Sequence, residues 1–393
     1  MKKLFLAGMM LITQARAQTT DPQLIAGHVD SLYSPILREK RIIWVSLPAS
    51  AYDKSLAPQR YPVVYLLDGN NHFATVTAMT RQLTAANGNF ILPEMIVVGI
   101  LNTHRARDFT PWPSEWWVFG PPTPLENTGG GEDFVRFPKE ELIPHIDSCY
   151  PTAPYRILVG HSLGGLATAN VLIRHTPLFK GYIIVDPSMW YDNGRFLNRA
   201  KDSLANKKFG NTGLFLGIAH SMGPGWDATS IRRDTAAESI HIRQILRFRD
   251  ELNKNKNNGL RFDTRYYPQD SHMSAPLITE YDGLRFLFDF YPLPPGEDVA
   301  MLNPRNPLDP AEIFSRHFAQ VSARMGYPVL PPEDLVNLFA NTFLDYHMPE
   351  RALRLSCLNL LNYPDSPGSA ALKALFKQMM PSLWQGWHLL SNH

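Results

Sequence analysis

Gly160-His161-Ser162-Leu163-Gly164-Gly165 is the stretch of this sequence best suited to covalent chemistry. A β-rich run precedes it at 155–159, and a helix-compatible run follows at 166–173. A serine among glycines, between strand and helix, is the signature of a nucleophile elbow. The turn is sharp and the helix leaves close beside the strand, so the flanking residues must be small. The hydroxyl is thereby held out at the carboxyl edge of a sheet, where it can attack a carbonyl carbon and carry the acyl group.

A serine hydroxyl is a weak nucleophile until a base takes its proton. Enzymes built on such an elbow carry the base last in chain order, in the loop after the final core strand. Residues 262–267 read as that strand and 268–272 as that loop, which makes His272 the base; of thirteen histidines it alone has this placement. The orienting acid is expected after the strand at 214–218, where Asp227, Asp234 and Glu238 are available. Asp186, after the preceding strand, is a fourth candidate, and a serine–histidine pair without a carboxylate is a further arrangement. Asp234 is taken as the acid, although its place before the next helix suits an N-cap equally well. An oxyanion needs donors. The N–H of Leu163 is one, and the Asp68-Gly69-Asn70-Asn71 turn offers the amide of Asn70 or Asn71 as the other, with Asn70 preferred.

The elements that must position these groups alternate along the chain. Strand-like runs occur at 42–47, 63–67, 95–100, 157–159, 182–185, 214–218 and 262–267, with helix-compatible stretches such as 162–175 and 235–252 between them. Several runs are continuously apolar, as in strands covered on both faces, and the order predicts a doubly wound, mostly parallel α/β sheet. Residues 108–124 hold Trp112, Trp116, Trp117 and Phe119 among prolines and read as a long irregular loop, either a binding wall or simply packed on the sheet.

Prolines at 292–310 mark a linker, and 311–393 is helical in pattern. There Phe339, Ala340, Phe343, Ala352 and Pro364 match the spacing of one tetratricopeptide unit or of an unrelated helical hairpin. The predicted organisation is a leader at 1–17, a hydrolytic domain at 18–291, the linker, and this small helical region, which would pack on the hydrolytic domain or on a protein partner. Lys2 and Lys3, a short apolar run at 4–12 and Ala15-Arg16-Ala17 form a cleavable export signal, too short for the roughly 20 residues that span a bilayer. A net charge of +2 over 393 residues gives no case for nucleic acid. Two cysteines, Cys149 and Cys357, make no disulfide scaffold and sit in no zinc or thiol motif.

With the elbow, the Tyr61–Gly69 stretch, Arg105-Ala106-Arg107-Asp108, Pro187-Ser188-Met189-Trp190 and Asp270-Ser271-His272, the sequence resembles the putative-esterase (esterase D) family. The likeness is to its enterochelin-esterase-like branch and runs from about residue 31 to 290. It implies an α/β-hydrolase fold acting on carboxylic esters without a metal or organic cofactor. It implies the same roles for Ser162 and His272, and places Arg107 and Trp190 near the substrate, with core packing an equal reading of Trp190. Family members cleave siderophore, feruloyl or acetyl esters and thioesters, and some transfer acyl groups. A small-molecule or glycan-linked ester is therefore the expected substrate. The competing readings are an acyltransferase or peptidase with the same residues, and a catalytically idle fold serving as a scaffold.

Overall fold

A computed structural model describes residues 26–84, 90–114 and 127–368. In it the apolar runs pair into one eight-stranded sheet of order β1-β2-β4-β3-β5-β6-β7-β8. The strands are β1 (His28–Ser34), β2 (Glu39–Ser46), β3 (Tyr61–Leu66), β4 (Ile96–Ile100), β5 (Thr152–His161), β6 (Gly181–Val185), β7 (Gly213–Ala219) and β8 (Arg261–Tyr267). The β1–β2 and β2–β4 pairings are antiparallel and all the others parallel. Every residue of β3, β4, β6 and β7 is buried, which is why these segments read as unbroken apolar runs. The edge strand β1, with Val29 and Tyr33 exposed, has no such run and escapes the sequence pattern.

Helices cover both faces. They are α1 (Gly69–Gln82), α2 (Arg105–Phe109), α3 (Gly131–Phe137), α4 (Ile143–Cys149), α5 (Leu163–Arg174), α6 (Arg195–Asn206), α7 (Ile240–Lys254) and α8 (Ala275–Leu287). Four more follow: α9 (Glu297–Leu302), α10 (Pro310–Met325), α11 (Glu333–Asp345) and α12 (Pro349–Asn362). Alternate strand residues point to opposite faces. Val63, Tyr65 and Leu67 join one core with residues of α3 to α7, whereas Val64 and Leu66 join a second with α1, α8 and the C-terminal helices.

That second core also takes in the C-terminal helices. Phe314, Phe318, Val321, Phe343 and Leu355 pack in one cluster with Phe288 and Tyr291. The proline-rich stretch contains the short helix α9, whose Met301 is fully buried in the same cluster. The helices α11 and α12, joined by three residues, form a hairpin against the sheet domain. Both cysteines are free thiols. The export signal, Trp116, Trp117 and Phe119 lie outside the described residues, as does 369–393. No helix among the described residues is long and apolar enough to cross a membrane.

Phe314 is completely buried. Phe314→Ala is expected to lower the stability of the whole chain by about 3–5 kcal/mol, with a single denaturant transition for both regions. A separate early transition confined to the C-terminal helices would contradict the shared core.

Candidate active site

The elbow forms where β5 ends at His161 and α5 begins at Leu163. Ser162 between them has φ 60° and ψ −117°, a conformation that costs a non-glycine residue about 1–3 kcal/mol. The glycines answer to space. A Cβ on Gly160 would lie 2.2 Å from the carbonyl oxygen of Gly164, and one on Gly165 would press on Pro187 at 3.0 Å. The loop after β6 is stitched to the elbow: the Ser188 N–H donates to the Ser162 carbonyl at 3.0 Å. The Ser188 hydroxyl stands 3.4 Å from that of Ser162.

His272 follows β8 as expected and is partly exposed. Its Nδ1 lies 2.6 Å from Oδ2 of Asp186, so this nitrogen carries the ring proton and donates it to the carboxylate. The carboxylate against the histidine is therefore Asp186, at the end of β6. Asp234 is a correction: it sits in a surface turn, where its own carboxylate accepts the N–H groups of Thr235 and Ala236 at 2.8 and 3.2 Å. It caps the turn ahead of α7, as its sequence position also allowed. Asp227 likewise closes a turn, on Thr229 and Ser230. The end of β7, where the acid was sought, supplies donors instead. The Ala219 N–H reaches Oδ1 of Asp186 at 2.9 Å and the Ser221 hydroxyl reaches Oδ2 at 3.2 Å.

Asp186 is fully buried. Burial alone would raise its pKa, but hydrogen bonds from His241 and His272 hold the carboxyl well below the ordinary range. His241, on α7, donates from Nε2 to Oδ2 at 2.8 Å. Among the described residues, Asp186, His241 and His272 bring three potential metal ligands within 4.8 Å of one another. The indole N–H of Trp190 donates to Nδ1 of His241 at 3.1 Å. Because an indole can only donate, the proton of a neutral His241 must sit on Nε2, facing Asp186. That arrangement suits a hydrogen-bonded carboxylate and not a metal centre. Trp190, 3% exposed, backs the acid where the family likeness placed it near substrate.

The amides expected to meet an oxyanion sit at two helix starts, where N–H groups lack intrahelical acceptors and carry partial positive charge. Leu163 is the first residue of α5 and Asn70 the second of α1. Neither N–H has an acceptor among the described residues, whereas the Asn71 N–H is taken by the Asp68 carbonyl at 2.8 Å. That leaves Asn70 of the two. Asp68, itself left-handed at φ 54°, is gripped by Arg105 through two bonds of 2.6 and 3.0 Å. Arg105 also reaches the His161 carbonyl at 3.2 Å, tying the Asn70 turn to the elbow. Arg107, which the likeness places near the substrate, is held in ion pairs. Its guanidinium is committed to Glu39 and Asp108, each at 2.7 Å. The arginine that touches the elbow stands two residues earlier, and only its place in the same motif hinted at it.

His161 packs against His272 with ring centroids 4.5 Å apart, and its Nε2 donates to the His272 carbonyl at 2.9 Å. Burial, together with the charges of His272 and His72, pushes its pKa down to about 4.

A sheet of this order with a strained serine after β5 and a histidine after β8 makes the molecule an α/β hydrolase. The comparisons with known proteins agree: residues 34–272 match the family model described as "Putative esterase". The chain belongs to that esterase family. It is 33% identical over 165 residues to the ferri-bacillibactin esterase BesA of Bacillus subtilis (strain 168), a match covering 39% of this chain and 57% of that protein. It is 30% identical over 179 residues to a siderophore triacetylfusarinine C esterase of Aspergillus fumigatus, covering 43% and 59%. The chain thus spans less than two-thirds of these relatives' lengths. Among solved structures, an IroE-like serine hydrolase from Shewanella oneidensis superposes with a TM-score of 0.72 at 29% identity, covering 85% of this chain and 98% of the other. An uncharacterised protein from Capnocytophaga ochracea shares the fold over 93% of both chains, with a TM-score of 0.59.

The His161 environment sets a pH dependence. The unfolded ring binds a proton below about pH 6.5, while the folded ring resists until about 4. Stability is therefore lost as pH falls through that window. His161→Gln, which keeps a donor and removes the titration, is expected to lose less between pH 7 and 4.5, by up to about 3 kcal/mol. Urea midpoints at the two pH values measure it, and equal losses in both proteins would contradict it.

Proposed function

We propose that the protein is an exported serine carboxylic-ester hydrolase that works through an acyl-enzyme on Ser162. The observation that carries the proposal is the pairing of Asp186 with Nδ1 of His272 beside a strained, glycine-flanked serine. With Nδ1 holding its proton toward Asp186, Nε2 of His272 is the nitrogen available to take the proton of Ser162 Oγ as it attacks the ester carbonyl. The N–H groups of Leu163 and Asn70 stabilise the negative oxygen of the tetrahedral adduct. His272 then protonates the departing alcohol, and water, deprotonated by the same nitrogen, frees the acid. Asp186 stays ionised throughout and stabilises the imidazolium. The siderophore esterases among its relatives make siderophore esters the first substrate class to test.

Ser162→Ala is expected to reduce ester turnover by about ten-thousand-fold or more, and Asp186→Asn by about a hundred- to ten-thousand-fold. Asp234→Asn serves as the control and stays within about twofold, as a change on a surface turn. Treatment with a fluorophosphonate followed by mass spectrometry should find one adduct, on Ser162. A folded wild-type protein without that adduct refutes the mechanism, and a larger loss in Asp234→Asn than in Asp186→Asn refutes the choice of acid. Export is tested separately: the chain recovered outside the cytoplasm should begin at Gln18, and retention of residues 1–17 there would refute cleavage.

A further inference from the structure

We propose that Trp190 and His241 form a tautomer lock on Asp186, making both of them positioning residues of the hydrolytic site; this rests on the serine-hydrolase reading above. The loop after β6 carries both ends of the device, the acid and, four residues on, the indole. His241 on α7 is clamped between them, with Nδ1 accepting from Trp190 at 3.1 Å and Nε2 donating to Asp186 at 2.8 Å. Trp190, His241 and Asp186 are 3%, 7% and 0% exposed, so none of these bonds is exchanged readily for water.

One carboxylate oxygen, Oδ2 of Asp186, thus meets His241, His272 and the Ser221 hydroxyl together. The two imidazoles stand at nearly a right angle, 88°, with centroids 5.0 Å apart. During acyl transfer His272 becomes a cation that must keep its share of Asp186. A second cation on His241 would compete for the same oxygen and repel the first. The indole prevents this because it occupies the only lone pair at which His241 could gain a proton. The groups facing His241 from neighbouring elements are Asp186 and Trp190 after β6 and His272 after β8. On its own helix, Arg243 is turned away to the Ser239 hydroxyl and the Ala236 carbonyl. His241 is thereby a permanent neutral donor. It holds the carboxylate in place and leaves the charge of Asp186 to His272.

The test uses the full mature chain labelled with 15N-histidine, whose ring nitrogen shifts identify tautomer and charge. In the wild type, His241 should remain the neutral Nε2–H form between about pH 5 and 8, the range in which free histidine titrates. Trp190→Phe removes the N–H and keeps an aromatic ring, so His241 should then take a second proton within that range. Activity gives a second readout, on a 4-nitrophenyl short-chain ester. The kcat/KM of Trp190→Phe should fall about tenfold more at pH 6 than at pH 9, its acid limb steepening from one proton to two. Adding His241→Gln, which retains a donor and cannot be protonated, should restore the one-proton limb. A wild-type His241 that titrates, or a Trp190→Phe protein whose His241 stays neutral, overturns the lock. Wild-type turnover that survives Ser162→Ala instead overturns the hydrolase reading, and the nitrogen shifts still decide the lock.

Discussion

A buried negative charge with no exposure to water must be met by donors from several directions, and Asp186 is such a charge. Its donors come from the end of β7, from α7 and from the loop after β8, so three separate parts of the chain converge on one carboxylate. The left-handed backbone of Asp186, φ 37°, turns it back over the sheet edge. The next residues, Pro187 and Ser188, then reach the elbow. Asp186 and Ser162 are thus held in register by neighbouring parallel strands. Their geometry depends on backbone pairing and not on long flexible side chains.

The elbow and the base were legible in the sequence because their signals are local. Gly160, Ser162 and Gly164 carry their steric reason within five residues, and His272 is marked by the strand before it and the helix after it. The acid was not legible, because a carboxylate that caps a turn and one that orients a histidine look alike in one dimension. Asp234 and Asp186 both follow strands of the same sheet; only the pairing across 86 residues separates them. The same holds for Arg105 and Arg107, which share a short helix and point into different ion pairs. The sheet itself was read well where strands are buried on both faces and missed at β1, where one edge meets water. His241 left no signal at all, since nothing in a helical stretch marks one histidine as facing a carboxylate from another element.

The two helix starts illustrate a different economy. The turn at Asp68 and the elbow at Ser162 each end a central strand and open a helix, so each offers amides without acceptors at the same edge of the sheet. Arg105 joins them by bonding the carboxylate of one and the carbonyl before the other. The pair of open amides is therefore a property of the parallel fold, and the arginine ties the two turns together.

The shared core beneath the sheet also bears on how the molecule comes into being. Ser162, Asp186 and His272 have all been synthesised by the time residue 272 is joined to the chain. The core that takes in Val64, Leu66 and Ile157 also takes in Phe314, Phe343 and Leu355, which are made later. A growing polypeptide that ends at residue 272 thus still lacks part of its second core and keeps apolar surface toward whatever surrounds it. The packing around the candidate site is thereby tied to residues translated well after it.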